Sequence, residues 1–204
     1  MIDYQRTPIE YDLLATAKNH YVSRGYTHME VPWVVSSKVY NITLPRNMRS
    51  KWFGRHPVAS GEQGFLEYWP GSNRYYQTTT PCFRPNDPVD GTHSTQFMKL
   101  ELFYHDSCGT LSSHGSALNK MLIDACDLYK RLLPNADVQV ELVSDEPRKG
   151  CVSWTQYDIV SKAKGIELGS YGVRSILAGS GLNYWVYGTG LALPRLHLGG
   201  TVQQ

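Results

Sequence analysis

Apolar residues recur along the chain with two periods, one near 3.6 and one of two, and the order of these stretches predicts the architecture. Ile9, Leu13, Leu14, Ala17 and Tyr21 stand at helical spacing, and Gly25 ends the run. The "TPIE" at its start predicts Thr7 as cap, Pro8 as first helical residue and Glu10 as the acid of a capping box. Next, "YTHMEVPWVVSS" alternates and then turns apolar as a strand does, and Pro32, which cannot donate to a ladder, confines it to an edge or a bulge. Residues 40–72 show no clear period and predict loops with short elements. A second helix is predicted over Ser116 to Leu133, with Leu118, Met121, Leu122, Ala125, Leu128, Tyr129 and Leu132 on one face and Pro134 just past its end. Strands are expected at "DVQVELVS", "SWTQYDIVS", "GIELGSYG" and "LNYWVYGTG". Helix, edge strand, hairpin, helix and further strands make an α+β domain, a mostly antiparallel sheet flanked by helices.

The hairpin is predicted from "CFRPNDPVDGTHSTQFMKLELFYHD", in which a loop rich in Pro, Asn, Asp and Gly separates two alternating runs. Residues of equal parity share a face, so Thr78, Thr80, Cys82 and Arg84 lie together, and Tyr75, Gln77, Thr79 and Phe83 lie on the reverse. On the return strand Phe97, Lys99 and Glu101 point one way and Met98, Leu100 and Leu102 the other. An antiparallel hairpin brings Arg84 to the face of Phe97, Lys99 and Glu101. That face offers a fork for phosphate or carboxylate, a ring for a base and an acid for a divalent cation, which suits ATP with Mg²⁺. A partly exposed sheet face carrying an ordinary cross-strand ion pair would look the same at this level.

With 204 residues, 41% hydrophobic and 19% charged, the chain suits one compact domain over 1–204. Neither a membrane-spanning run nor a signal peptide is read in it, which suggests a cytoplasmic protein. Cys82, Cys108, Cys126 and Cys151 form no C-x-x-C pair and read as buried free thiols. His105, His114 and His197 lack metal-ligand spacing and read as surface or packing residues. A net charge of +2 permits a nucleic-acid partner without requiring one, while "RNMRSKWFGRH" mixes Arg46, Arg49, Lys51 and Arg55 with Trp52 and Phe53, as a phosphate-contacting or merely solvated loop would.

"FRPNDPVDGTHSTQFMKLE" resembles motif 2 of the class II aminoacyl-tRNA synthetases, and "DGTHSTQFMKLE" is especially similar to the phenylalanyl-tRNA synthetase α-chain. "SRGYTHMEVPWVV" resembles motif 1, the segment that forms the family's dimer interface. "YGTGLALPRL" resembles motif 3, and "IELGSYGVR" the glutamate-bearing strand before it. The resemblance implies a class II catalytic core that activates an amino acid or related carboxylic acid with ATP, and no anticodon-binding domain is read in the sequence. It also implies a homodimer.

By that resemblance Arg84 would hold the α-phosphate and the substrate carboxylate, Phe97 would stack on adenine, Arg195 would cover its other face and reach the γ-phosphate, and His93 would contact the β- and γ-phosphates. Glu101 and Glu167 would serve Mg²⁺ and the nucleotide, and Glu62 and Gln63 the substrate amine. Gln77 and Lys99 are further candidates for the substrate, with Tyr171 and Trp185 as candidates or core aromatics. The usual Arg-x-Glu is replaced by Arg84, Pro85, Asn86, Asp87, which makes Asp87 the candidate reader of adenine. Lys99 stands where the phenylalanyl type has glutamine and points to an acidic or anionic side chain on the substrate. Pro194 requires a helix to begin at that point. The acceptor of the acyl group is open between a tRNA, a carrier protein and a small molecule. A synthetase paralogue that has lost catalysis and senses an amino acid is the alternative. A biotin or lipoate ligase is disfavoured because no matching Gly-rich loop is evident.

Overall fold

The computed structural model describes residues 9–43, 55–85, 93–144, 152–178 and 181–203. Helix α1, Tyr11–Ser23, buries Leu13, Leu14, Ala17 and Tyr21, as their spacing predicts. It begins a turn late. Glu10 is the N-cap residue with no side-chain capping bond, so the capping box does not form, and its carboxylate meets His197 instead. Thr7 and Pro8 lie outside the described residues. The single strand expected next is two, β1 (Thr27–His28) and β2 (Val34–Val35), separated by the segment that holds Pro32.

Short elements fill the aperiodic stretch: α2 (Ser37–Thr43), β3 (His56–Pro57) and α3 (Gly61–Tyr68). The hairpin follows as β4 (Arg74–Phe83) and β5 (Gln96–His105), then α4 (Leu111–Leu132), β6 (Val138–Ser144), β7 (Val152–Ser161), β8 (Ile166–Ala178), β9 (Gly181–Ala192) and α5 (Leu193–Gly199). Helix α4 starts before the predicted Ser116, because the Thr110 hydroxyl caps it by accepting the Ser113 N–H at 3.3 Å and the polar "SSHG" turn carries no apolar stripe. Among the described residues seven strands form one sheet in the order β1-β4-β5-β9-β8-β7-β6, and β2 pairs with β3 separately. Every pairing in the sheet is antiparallel except β1 with β4. Pro81 sits in β4 beyond the part that β1 covers, where a missing N–H is harmless.

The sheet divides two cores. On one side Leu100, Leu102 and Tyr104 of β5 meet α1, α4 and α5 through residues such as Tyr21, Met121, Leu128 and Leu196. On the other, Phe103, Trp185 and Tyr187 pack with Val35, Tyr40 and Phe65 from α2, α3 and the segment before them. Strand β9 keeps its alternation until Gly190, where a bulge shifts the pairing from Glu101↔Thr189 to Leu100↔Leu191. Leu191 is therefore turned to the helix side, and Ala192 reaches the opposite side. Gly188 is held by close approach, since a Cβ there would meet Tyr171 Cδ1 at 2.4 Å and Met121 Sδ at 2.6 Å. Gly188→Ala is expected to lower stability by about 1–3 kcal/mol through overpacking, read as a lower urea midpoint at unchanged slope.

Among the described residues no helix is long and apolar enough to cross a membrane. Cys82 is buried as expected, but Cys108 is exposed and Cys126 half-buried, because the latter two lie on the loop before α4 and on its outer flank. Cys151 falls outside the described residues.

Candidate functional site

A cleft of about 270 Å³ opens on the side of the sheet away from α1 and α4. Its first wall is the β4–β5 hairpin, whose register sets Cys82 opposite Phe97, Thr80 opposite Lys99 and Thr78 opposite Glu101. Arg84 extends the hairpin by donating its N–H to the Thr95 carbonyl at 2.7 Å. Its Nε donates to the Ala59 carbonyl at 3.1 Å, and its guanidinium carbon lies 5.3 Å from the centre of the Phe97 ring. Arg84 and Phe97 thus look into one cavity, which His93 also lines. Asp87, Arg46, Arg49, Lys51, Trp52 and Phe53 lie outside the described residues; Arg55 pairs with Glu67 at 3.5 Å.

The second wall comes from β8, β9 and α5. Pro194 lies in the first turn of α5, as its chemistry requires, and Arg195 just after it forms an ion pair with Glu167 of β8. Both are partly exposed at the rim, so this pair contributes little and can open for a ligand.

The end of the cleft is formed by α3. Ser60 caps the helix, and Gly61 is required at its start, because a Cβ there would sit 2.9 Å from Glu101 Oε2 and 3.0 Å from Thr78 Cγ2. This closeness delivers Glu101 to the helix N-terminus. Its carboxylate accepts the Ser60 hydroxyl at 2.6 Å, the Glu62 N–H at 2.9 Å and the Lys99 ammonium at 2.6 Å. Glu101 is 3% exposed. Burial pushes its carboxyl up, but the Lys99 charge and these hydrogen bonds outweigh burial and hold it below the usual carboxylate range. Behind it Glu62, 4% exposed, accepts the Trp185 indole N–H at 2.7 Å and pairs with Arg174, whose guanidinium carbon lies 3.8 Å from the centre of the Tyr187 ring.

No protein-family model and no curated protein matches the sequence. Solved structures do. Seryl-tRNA synthetase from Pyrococcus horikoshii, complexed with ATP, matches at TM-score 0.69 and 14% identity over 93% of this chain and 49% of its own. The cytoplasmic serine-tRNA ligase of Naegleria fowleri, in complex with AMP, matches at TM-score 0.72 and 14% identity over 93% and 52%. A pyrrolysyl-tRNA synthetase from Desulfitobacterium hafniense matches at 0.66 and 13% over 92% and 67%. The fold is that of a class II aminoacyl-tRNA synthetase catalytic core. The chain spans about half the length of the two seryl enzymes.

On this synthetase-like core the expected residues separate into those that meet and those that do not. Arg84, His93, Phe97, Lys99, Glu101, Glu62, Gln63, Glu167 and Arg195 all line the cleft. Gln77 does not. Its amide N–H donates to the Lys18 carbonyl of α1 at 2.9 Å, because its parity puts it on the helix side of β4. Gln63 lines the cleft, but its amide is engaged with the main chain, accepting the Ala59 N–H at 2.8 Å and facing the Tyr40 carbonyl. Tyr171 and Trp185 are fully buried and belong to the core, although the Trp185 indole also holds Glu62. His105 and His114 are buried among aromatic rings and His197 is exposed beside Glu10, in keeping with packing and surface roles.

Glu101, Glu167 and Lys99 are each paired within the cleft. The Glu101 carboxylate accepts Ser60, the Glu62 amide and Lys99 across its two oxygens, three donors for about four acceptor sites. Glu167 pairs with Arg195 at the rim, and among the described residues no cluster of three or more His, Cys, Asp and Glu could hold a metal ion by itself. Lys99 lines the cleft and pairs with Glu101 at 2.6 Å. Sequence reasoning missed Arg174, Ser60 and Asp158. Burial and the nearby Glu167 charge push the Asp158 carboxyl up, and its Oδ1 has no hydrogen-bond partner. A parity count through "IELGSYGVR" could have proposed Arg174 as cleft-facing, but nothing in the sequence joins it to Glu62.

Proposed function

We propose that the chain activates a small carboxylic acid, an amino acid or a relative of one, with ATP, forming an acyl-adenylate and releasing pyrophosphate. The observation that carries this reading is the shared cavity of Arg84 and Phe97, with Arg195 across the cleft. The ring offers a face for adenine, and the guanidinium lies beside it where an α-phosphate would follow. One carboxylate oxygen of the substrate attacks the α-phosphorus; the bond from that phosphorus to the bridging oxygen breaks, and pyrophosphate leaves with the electron pair. No base is needed, because the carboxylate is already ionised at neutral pH. Arg84 neutralises charge that accumulates on the α-phosphoryl oxygens, while Arg195 leaves Glu167 for the outer phosphates and His93 adds a contact there. The seryl enzymes that share the fold are described with ATP and AMP, and the motif 2 likeness to the phenylalanyl α-chain supports the same chemistry. Transfer to a tRNA or carrier acceptor, and dimer formation through the motif 1-like segment, belong to the same proposal.

ATP–pyrophosphate exchange with a panel of amino acids and other carboxylic acids tests it. Exchange with at least one acid is the expected result. ATP binding without exchange for any acid would instead favour a sensing or regulatory subunit.

A further inference from the structure

One cross-strand row on the cleft side of the sheet is polar from β4 to β7. Thr78 of β4 pairs with Glu101 of β5, and Glu101 with Thr189 of β9. The Thr189 hydroxyl accepts the Ser170 N–H of β8 at 3.4 Å, and Ser170 pairs with Asp158 of β7. In the next row Gln156, Gly172 and Tyr187 stand side by side. Gly172 lets the Tyr187 ring lie close against the sheet, since a Cβ there would meet its hydroxyl at 2.8 Å. Gln156, Ser170 and Thr189 line the cleft, while Tyr157 and Ile159, their alternates on β7, turn to the helix-side core. The Gln156 amide nitrogen donates to the Ser170 hydroxyl at 3.2 Å and reaches the Asp158 carboxylate, which when ionised can only accept. Its nitrogen is thereby held toward the sheet, and its carbonyl oxygen is turned the other way. Behind it Asp158 Oδ1 is buried and has no hydrogen-bond partner.

We propose that the acid activated in this cleft carries a hydrogen-bond donor on its side chain, a hydroxyl, carboxamide or amino group, and that the Gln156 carbonyl oxygen receives it. This rests on the activation reading above and narrows its substrate class. With the reacting carboxylate at Arg84, the rest of the acid extends over Thr189 and Ser170 toward Gln156. A hydrocarbon side chain there would strip water from that carbonyl and from two hydroxyls and return no bond. A side-chain carboxylate would bring only acceptors to an acceptor, with Asp158 next to it. The cations at that end, Lys99 and Arg174, are already paired with Glu101 and Glu62. A donor meets the Gln156 oxygen without breaking any of these contacts. Because Ser170 and Asp158 hold the amide before a ligand arrives, little ordering is left to be done on binding.

The experiment is pyrophosphate exchange on the full chain with isosteric pairs: threonine and valine, serine and 2-aminobutyrate, asparagine and leucine, glutamine and methionine, lysine and norleucine. Aspartate, glutamate and the matching α-hydroxy acids complete the panel, and the same panel is run on Gln156→Leu. Wild type is expected to use a donor-bearing acid with kcat/KM about a hundredfold or more above that of its hydrocarbon partner. Gln156→Leu is expected to lower that ratio by about tenfold or more, a change that a uniform loss of activity would not produce. A wild-type preference for a hydrocarbon or an acidic side chain would overturn the inference while leaving acid activation standing. An unchanged ratio in a folded Gln156→Leu protein would overturn the role of Gln156. Binding of ATP with no exchange for any member would defeat the activation reading and the inference with it. The wild-type ratio decides the side-chain class even if the variant fails to fold.

Discussion

Replacing Arg84 by alanine should slow adenylate formation by about a hundredfold or more, a loss of about 3 kcal/mol of transition-state stabilisation, read as kcat/KM in pyrophosphate exchange. The effect comes from charge held in the right place. As the substrate carboxylate attacks the α-phosphorus, negative charge builds on oxygens that the Arg84 guanidinium is positioned to meet, fixed by the Ala59 carbonyl at 3.1 Å and by the Phe97 ring. The ring contributes stacking that is equal in ground and transition states, so Phe97→Ala should act mainly through KM. Arg84→Ala should act on kcat as well. A thermal melt on the same sample separates loss of chemistry from loss of fold. A folded Arg84→Ala protein that exchanges pyrophosphate at the wild-type rate would remove this guanidinium from the reaction and undo the assignment of the hairpin.

What could be read from the sequence follows the range of the forces involved. Helices α1 and α4 and the hairpin were legible because each buries a regular stripe against one partner layer, so local period reports tertiary burial. Parity alone put Arg84, Phe97, Lys99 and Glu101 on one face, and the same count set Gln77 on the reverse, where it meets α1. Helix α3 escaped notice since its first turn is built for closeness, with Gly61 against the hairpin and Ser60 as cap, and shows little apolar pattern. Bulges defeated parity elsewhere. The one at Gly190 turns Leu191 and Ala192 to faces that simple alternation would reverse, and another beside Ile159 and Val160 alters the register at Glu167. The pairing of Glu62 with Arg174 joins residues 112 positions apart and has no local signature. The same holds for the grip of α3 on Glu101, which makes that carboxylate an anchor for the helix.

That anchoring role predicts the largest stability effect among single substitutions in the cleft. Glu101→Leu leaves the Lys99 ammonium buried without a partner and removes the acceptor of the Ser60 hydroxyl and the Glu62 N–H, so a loss of about 3–5 kcal/mol is expected from urea unfolding. Against a total of about 5–15 kcal/mol for a domain of ordinary stability, this is a large fraction. Lys99→Met in the same chain should restore much of it, because the pair is then replaced by apolar side chains of similar volume instead of being broken. The double variant distinguishes an anchor from a ligand. An anchor gives a coupled pair, with the double variant more stable than Glu101→Leu alone. A residue whose main task was to hold a cation would give a different pattern: Glu101→Leu would unfold at the wild-type urea midpoint, since no cation is needed to satisfy the carboxylate in the free protein. The short contacts from Ser60, the α3 amide and Lys99 favour the first outcome, and they tie the position of α3, and through it Glu62, to a single buried carboxylate.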